Sequence, residues 1–436
     1  MSKNNLKGNS DLIYKSLQFI IFRIGGVGFG YLFAFLITRN FGDVIYGLIT
    51  LATTFFMIFS VVSKFGFDIN IIKTISNNDN SSKNAFDIYL KISFLSFLFA
   101  SLLSVFLIAL KDIIALKLFN NPEFSTFLFW GSLAIPFWTI TIINSGVLRG
   151  LEKNALFSFF LYFGRYGLTC TILIFYLFIY DGQNAVSPLI IHSIVSFFLF
   201  SLSTFLIIKK LKSGNKFNYK ENKTTKDFII DSYPIFVSSV IFIVLGWSDR
   251  IILGVFSTEE NVALFDISVK IALSIGFVLE AFNSILAPKI SKLYHQKKIT
   301  ELRQTIQFST KIISAASLTL FFVIIIFGEL LLNLFDLNDG YSVLIILSAG
   351  QIINCFCGSV GLLLQMTGNQ KFYRKIMVFA LFLNLTLNVI LVRLFGVIGV
   401  AYATSLSLIF WNVLGVIIVK RKLNIWSFYI PFKVIK

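Results

Sequence analysis

The stretch VIYGLITLATTFFMIFSVV, residues 44–62, contains no charged side chain and is long enough to cross a bilayer as a helix. A bilayer core takes ~20 apolar residues of helix. Similar stretches occur on both sides of it, at 13–37, 88–110, 124–145, 155–179, 189–208, 231–255, 262–286, 310–334, 342–366, 376–395 and 397–419. Together with a hydrophobic content of 56%, they predict an all-α polytopic membrane protein with twelve transmembrane helices.

The basic residues between these stretches are unevenly distributed. Residues within three positions of a span end are counted with the adjoining connection. Of the 38 Lys and Arg residues, 30 then fall in alternate connections on one side, four in connections on the other side and four in the interiors of spans. Cytoplasmic loops carry the excess of Lys and Arg, so both termini are predicted to be cytoplasmic. The net charge of +17 is thereby explained by topology, and no nucleic-acid partner is expected.

The sequence gives no sign of a metal or redox centre. Cys170, Cys355 and Cys357 lie in or beside spans and are interpreted as small packing residues. His192 and His295 fall on opposite sides of the predicted membrane, so no metal site is predicted. The polar connections are too short to hold a soluble catalytic domain, and we expect neither a cofactor nor enzymatic activity.

Two regions of the chain resemble each other at a separation of about half its length. Residues 146–153 can be set beside 364–371 at an offset of 218, and Gly47 lies opposite Ala263 at an offset of 216. An even number of helices in each copy gives the copies the same orientation, as in transporters with parallel repeats. The alternative is chance similarity between apolar helices.

The repeat predicts how the chain is divided. We expect two like-oriented six-helix lobes around a central cavity, an N-terminal lobe at 12–208 and a C-terminal lobe at 228–419. Residues 209–227, which are rich in Lys, are predicted to form a cytoplasmic linker. Residues 420–436 are predicted to form a cytoplasmic or interfacial tail.

Several segments resemble Wzx-type polysaccharide flippases, relatives of the MATE exporters and lipid II flippases. The segments are Phe41–Gly47, 249–260, 265–271, 286–293, Met366–Lys371 with Asn384 and Asn388, and Arg393–Thr404. Two features depart from the pattern. Ala263-Leu-Phe265 replaces the usual Gly-x-Tyr, and the two additional C-terminal helices common in lipid II flippases are missing.

The resemblance implies a flippase that moves a polyprenyl-pyrophosphate-linked oligosaccharide, an O-antigen or capsule or exopolysaccharide repeat unit, between leaflets. It implies alternating access, transport from the inner to the outer leaflet, and location in the bacterial cytoplasmic (inner) membrane. The lipid bilayer and polysaccharide assembly proteins are the further partners expected. The alternatives are a MATE-like ion-coupled exporter of small organic molecules, a polytopic membrane enzyme of glycan assembly, and a scaffold in an assembly complex.

Arg23 and Arg165 lie near the middle of the first and fifth predicted spans. An ionised side chain at the bilayer centre costs at least ~2.5–3.5 kcal/mol and normally faces a protein interior or a cavity. The first six spans contain no Asp or Glu in their interiors. We therefore expect both arginines to bind an anionic head group, with snorkelling or capping of carbonyls as the alternative.

The seventh and eighth predicted spans carry charges of both signs. Asp266, Lys270 and Glu280 fall on one helical face, and Asp266 and Lys270 are four residues apart, close enough to pair. Lys270 and Arg250 are further candidates for head-group binding, whereas Asp249, Asp266 and Glu280 are candidates for ion coupling or ion pairing. For Asp266 and Lys270, a structural ion pair and a ligand site are equally consistent with the sequence.

Helix-loosening residues mark where the predicted spans could bend. Gly26, Gly28 and Gly30 lie within the first span, where they permit either bending or close packing. Pro136 and Pro234 could kink the fourth and seventh spans. These five residues are the predicted conformational positions.

Overall fold

The chain folds into helices that divide into two compact units, Met1–Ile243 and Val244–Lys436. The computed structural model describes residues 3–76, 82–180, 184–213, 225–337 and 339–429. Throughout these residues the regular structure is helical. Long apolar helices therefore account for the fold, as the sequence predicts, and the protein is a multi-pass membrane protein.

The first unit is built around one deeply enclosed helix. Its helices are α1 Lys3–Phe41, α2 Asp43–Ser63, α3 Phe67–Ser76, α4 Ser82–Ile113, α5 Phe124–Leu133, α6 Ile135–Gly150, α7 Asn154–Ser158, α8 Gly164–Ile179, α9 Ser187–Ser213 and α10 Thr225–Phe256, the last of which continues into the second unit. α6 packs against α2, α3, α4 and α9. Its buried hydroxyls bond within the helix, as Thr139 Oγ1 does to the Ile135 carbonyl at 2.8 Å. Such bonds satisfy polar groups that have no access to water.

Two short π-helical segments interrupt the first unit. Ile114–Leu118 extends α4, and Phe159–Phe163 joins α7 to α8. The second segment packs against α1, where the Tyr162 backbone lies beside Gly26. A π-helical turn breaks the regular hydrogen-bond ladder, so α8 enters the unit through an irregular junction.

The second unit is centred on a broken helix. Its helices are α11 Glu259–His295, α12 Ile299–Asn333, α13 Tyr341–Cys357, α14 Val360–Met366 and α15 Gln370–Leu423. α13 packs against α11, α12 and α15. α13 and α14 meet at an angle of 42°. Gly358 has φ +72° at this junction and lies against the Thr310 side chain, so a larger residue fits neither its backbone nor its space.

α15 is not one straight rod, although its helical hydrogen bonding is almost continuous over 54 residues. A straight helix of that length would extend ~80 Å, far beyond a ~30 Å bilayer core. Gly396 has φ 58° and ψ −136°, and a Cβ at Gly399 would clash with the Leu391 carbonyl. Residues 391 and 399 can approach this closely only if the chain reverses, so α15 is a helical hairpin with arms before and after Gly396.

The number of spans is ten or eleven by helix length and composition. Within the described residues ten helices are long and apolar enough to cross a membrane, and the bent pair α13–α14 adds an eleventh. α15 counts once in this number, although the reversal at Gly396 falls between the predicted spans 376–395 and 397–419. Twelve spans, like the arrangement of the lobes, stays a prediction.

Element boundaries recur in the two units at a spacing of 216 residues. α2 and α11 begin 216 positions apart, α6 and α14 end 216 apart, and α7 and α15 begin 216 apart. Left-handed residues follow the same spacing, Asn120 with Asp336 and Glu152 with Gly368. The structural equivalent of Gly368 is therefore Glu152, two positions from the Gly150 of the sequence alignment.

The division into two compact units does not test the predicted domain boundaries, which stay predictions. The stretch 214–224 of the predicted linker and 430–436 of the predicted tail lie outside the described residues. The described part of the tail folds back on the second unit. Asn424 ends α15 with φ 54°, Ile425 is fully buried, and the Tyr429 N–H donates to the Phe356 carbonyl at 2.9 Å.

Candidate functional site

A buried charge cluster joins α10 to α11 in the second unit. Arg250 Nε donates to Asp266 Oδ1 at 2.8 Å, and Arg250 Nη2 lies 2.8 Å from the same oxygen. Lys270 Nζ lies 2.7 Å from Asp266 Oδ2. The Arg250 and Asp266 side chains are only 6% and 4% exposed, whereas Lys270 is 28% exposed. Two cations share one carboxylate, and of these three side chains only Lys270 is partly exposed.

The Arg250 guanidinium is held by more than its ion pair. Nη1 donates to the Gly246 carbonyl at 2.9 Å, and the guanidinium carbon lies 4.9 Å from the Trp247 ring centroid and 5.8 Å from that of Phe265. Cation–π contacts of this kind are worth more where water is excluded. These contacts hold the Arg250 guanidinium in one position, so Arg250 orients the Asp266 carboxylate.

A second polar cluster surrounds the Asp249 carboxylate. The Asn388 amide donates to Asp249 Oδ1 at 2.7 Å, and Thr404 Oγ1 lies 2.9 Å from Asp249 Oδ2. Asn388 is on the first arm of α15 and Thr404 on the second, so one carboxylate contacts both arms of the hairpin. Asp249 is 2% exposed. A buried carboxylate needs such partners because its desolvation is costly.

Two amide oxygens beside this carboxylate lack partners. Asn384 Oδ1 and Asn388 Oδ1 are buried and accept no hydrogen bond from the described residues. Asn384 is 1% exposed and lies one helical turn from Asn388, close enough for its side chain to interact with Asp249. Carboxylate, amide and hydroxyl oxygens are the ligands that small hard cations prefer. The cluster therefore has the donor chemistry to take a proton or a small cation.

Arg165 lies among aromatic rings in the first unit. Its guanidinium carbon is 4.4 Å from the Tyr166 ring centroid, 5.0 Å from that of Trp138 and 5.8 Å from that of Phe56. Nη1 lies 2.9 Å from the sulfur of Met57. Arg165 is 8% exposed, and in the part of the chain that the structure describes no carboxylate forms an ion pair with it. The guanidinium is thus desolvated by π-faces and by a weak acceptor, and its charge is not neutralised.

Two buried nitrogens accompany this arginine. His192 packs edge-on against Phe56, with ring centroids 5.3 Å apart. Its Nε2, like Trp138 Nε1, is buried and has no hydrogen-bond partner among the described residues. A buried polar group without a partner lowers the stability of the folded state, so its retention here indicates a functional role for this part of the interior.

The remaining predicted residues lie away from these clusters. Arg23 is half-buried, with its guanidinium carbon 5.6 Å from the Tyr162 ring centroid. Glu280 is exposed and lies 14 residues from Asp266, ~21 Å along α11, so the structure does not bring it to the cluster. Pro136 occupies the first turn of α6, directly after the break at Ala134, and Pro234 lies inside α10.

The predicted glycines differ in their surroundings. A Cβ at Gly26 would lie 2.5 Å from the Tyr162 carbonyl oxygen, and a Cβ at Gly30 would touch the Tyr166 ring at 3.8 Å. A Cβ at Gly28 would meet nothing within 4 Å. Gly26 alone is thus required by a backbone-to-backbone approach between α1 and the π-helical segment.

Reasoning from the sequence missed the partners of these charges. Met57, Trp138 and His192 come from three different helices and carry no charge that would draw attention. Asn388 belongs to the motif that carries the family resemblance, but the sequence gives no sign that it contacts Asp249. Asp249 and Asn388 are 139 residues apart in the chain, so no local sequence pattern relates them.

Comparison with known proteins identifies the class of the chain. The model of a family described as "Polysaccharide biosynthesis protein" matches residues 15–294, and the MatE family model matches 234–390. A protein of Haloferax volcanii named "Probable low-salt glycan biosynthesis flippase Agl15" is 26% identical over 174 residues. The match spans 39% of this chain and only 37% of the length of that relative.

Two further matches extend over most of the chain. An uncharacterized membrane protein of Methanocaldococcus jannaschii is 27% identical over 430 residues, covering 93% of this chain and 97% of that protein. The solved structure of the lipid II flippase MurJ, in an inward closed conformation, superposes with a TM-score of 0.71 at 16% identity, covering 94% of this chain and 87% of MurJ. At that identity the likeness concerns the fold alone.

These matches confirm the resemblance inferred from the sequence. The family model covers more than half of the chain, and the fold likeness extends over nearly all of it. The chain belongs to the polysaccharide biosynthesis protein family and has the fold of the superfamily that contains the MATE transporters and MurJ.

Proposed function

We propose that the protein is a transporter, not an enzyme, and that it flips a lipid-linked glycan across the membrane. The substrate is a polyprenyl-pyrophosphate-linked oligosaccharide, which moves from the inner to the outer leaflet by alternating access. The family match and the curated relative named as a glycan biosynthesis flippase support the glycan. The location in a bacterial inner membrane stays a prediction.

The buried charge is the observation that carries this proposal. Arg165 has no acidic partner among the described residues, and Asp266 is shared between two cations. At Arg165 the membrane-embedded part of the protein thus offers a positive charge that no described carboxylate balances. Charged side chains inside a membrane are energetically costly and mark substrate or ion pathways. A positive charge there can bind the negatively charged pyrophosphate.

The same clusters argue against the export of organic cations. A cation exporter requires a free carboxylate in its pathway. Asp266 is neutralised by Arg250 and Lys270, and Asp249 is enclosed by Asn388 and Thr404. Asp266 is therefore not available as an unbalanced charge, and both oxygens of Asp249 already have hydrogen-bond partners.

The energetics of the step require no ATP. With the cell interior negative, moving about two negative charges outward is favoured by roughly 4–5 kcal/mol per 100 mV, from ~2.3 kcal/mol per charge. The protein then has to lower the barrier and alternate its access. The Asp249 cluster is the candidate for coupling this cycle to a proton or a small cation.

Deletion of the gene, followed by analysis of lipid-linked glycans, tests the proposal. We expect one lipid-linked glycan to accumulate in the inner leaflet. In sealed right-side-out vesicles, a membrane-impermeant glycosidase should therefore fail to cleave it. Re-expression of the wild-type chain should restore its cleavage. Normal glycan export in the deletion strain, with no such accumulation, would contradict the proposed function.

A further inference from the structure

A pocket of about 540 Å³ lies along the first turns of α15, away from the buried clusters. It is lined by Lys371, Arg374, Lys375, Val378, Phe379 and Phe382. At 3.6 residues per turn these side chains fall within about 140° of the helix circumference. The basic residues occupy one end of the pocket and the apolar residues the other.

The charge at the basic end is not balanced by the protein. No Asp or Glu follows Asp339 in the sequence, and in the described part of the chain none of the three basic residues forms an ion pair. All three are exposed. They also stand in the first two turns of α15, where the helix dipole disfavours cations. An external anion would relieve both effects.

The lining of this open pocket extends along α15 over a length that suits a lipid entering from the interface. Lys371 and Phe382 are eleven residues apart, or ~16 Å along the helix, about half of a ~30 Å bilayer core. Phe379 and Phe382 are 57% and 65% exposed. In the predicted topology the basic end is cytoplasmic, so charged groups lie at head-group level and aromatic rings at chain level.

The pocket is separate from the Asp249 cluster although both involve α15. Asn384 and Asn388 point about 110–150° away from the centre of the pocket face, at 100° per residue. They are buried at 1% and 0% exposure. A ligand in the pocket therefore leaves the carboxylate cluster untouched.

We propose that this pocket is the inner-leaflet docking site for the diphosphate and the first isoprenoid units of the lipid-linked substrate. The inference rests on the proposed function and names where that substrate first binds. Three clustered cations match a diphosphate better than the single charge of a phosphodiester lipid. Arg374 supplies a planar fork for phosphate oxygens, and Lys371 and Lys375 supply point charges.

Binding by the full-length protein in phosphatidylcholine nanodiscs tests the assignment, with a glycan-free polyprenyl diphosphate as the probe. The variant Lys371→Ala/Arg374→Ala/Lys375→Ala should weaken binding about tenfold or more, and neutral polyprenol should not compete. The matched control is Lys289→Ala/Lys292→Ala/Lys297→Ala, which removes the same charge from exposed positions of α11 and the turn that follows. It should bind as the wild type does.

A second variant, Phe379→Ser/Phe382→Ser, tests the apolar end without changing charge. Both side chains are exposed, so the fold should persist, and binding of the polyprenyl diphosphate should fall while that of inorganic diphosphate does not change. Equal competition by phosphatidylglycerol would make the pocket a general anionic-lipid site and overturn the assignment. Unchanged binding in both variants would overturn it as well.

Transport separates this inference from the proposed function. The triple basic variant should raise the apparent KM for the lipid-linked glycan about tenfold and leave the maximal rate nearly unchanged, since docking precedes the transport step. If the wild type transports the glycan and the variant has the same KM, the docking site is wrong and the function stands. If the wild type transports no lipid-linked glycan, the proposed function itself fails.

Discussion

Arg250 and Asp266 form an ion pair of 2.8 Å with both side chains almost completely buried. The two residues lie on consecutive helices, and the ion pair links the last turns of α10 to the first turns of α11. Lys270 adds a second cation to the same carboxylate. Removal of the acid would therefore leave two cations without the carboxylate that they share.

Asp266→Asn should destabilise the protein strongly. Breaking a buried pair typically costs about 3–5 kcal/mol because a charge is left uncompensated. We expect a large fall in the thermal midpoint of the detergent-solubilised protein, and recovery of most of it in Arg250→Met/Asp266→Leu. The control is Lys298→Ala, which breaks the exposed Lys298–Glu301 pair and should cost at most about 1 kcal/mol. Equal midpoints for Asp266→Asn and the control would contradict the role of the pair.

Asp249→Asn should leave the fold intact and remove the dependence of transport on its coupling ion. The amide preserves the shape of the carboxylate but loses the charge that a proton or a cation would neutralise. The measurement is glycan transport in proteoliposomes as a function of Na⁺ and proton gradients. Thr404→Val, which removes a hydroxyl from the same cluster, should weaken the dependence partly. Wild-type coupling in Asp249→Asn would exclude the cluster from ion binding.

Arg165→Met and Arg23→Ala should insert and fold but lose most glycan export. Methionine retains much of the volume between Trp138 and Tyr166, so loss of charge is separated from loss of packing. Lysine at either position should rescue partly, because it retains the charge without the bidentate fork, whereas glutamate should abolish export. Wild-type export by both neutral variants, at normal expression, would refute the basic-site mechanism while sparing the family assignment.

Gly26→Ala and Gly28→Ala should differ sharply although they are two residues apart. A methyl group at Gly26 collides with the Tyr162 carbonyl, whereas one at Gly28 meets nothing. Overpacking costs typically about 1–3 kcal/mol, whereas alanine at an open helical position gains up to about 1 kcal/mol over glycine. Thermal unfolding of the two variants should therefore shift in opposite directions. A shift of the same sign and size in both would contradict the close approach of α1 to the π-helical segment.

The topology can be tested by cysteine labelling. A cysteine at Asn184 should react with an impermeant maleimide in intact cells, and one at Lys216 only after permeabilisation, because the Lys-rich connection is predicted to be cytoplasmic. The native Cys170, Cys355 and Cys357 are buried and should contribute little background. Reaction of Lys216→Cys in intact cells would reverse the assignment.

The long apolar helices could be predicted from sequence because each span carries its own signal. Hydrophobicity over ~20 residues is a local property, and a bilayer forces such stretches into helices. The pairing of Lys270 with Asp266 was one of two readings open in the sequence, since four residues form one helical turn. The break between α13 and α14 was not predicted, because an apolar window of 342–366 does not reveal the left-handed Gly358.

The candidate site was harder to predict because its contacts are not local. The sequence predicts that Arg250 binds a head group, and the structure pairs it with an acid across a helix junction. Glu280 was expected on the same face as Asp266, but a shared face does not bring two residues together when ~21 Å separates them along the axis. The surroundings of Arg165 depend on how several helices pack, which no spacing in the sequence reports.

The hydrogen bond from Tyr429 to Phe356 bears on how the second unit is made during biosynthesis. Residues 424–429 follow every described helix of the unit in the chain, and Ile425 joins the apolar cluster formed by α11, α12, α13, α14 and α15. The ribosome therefore delivers the closing part of this cluster after the helices that it covers. Until residues 424–429 emerge, the Phe356 carbonyl near the end of α13 lacks the Tyr429 N–H, so this part of the unit can be completed only after its helices have been made.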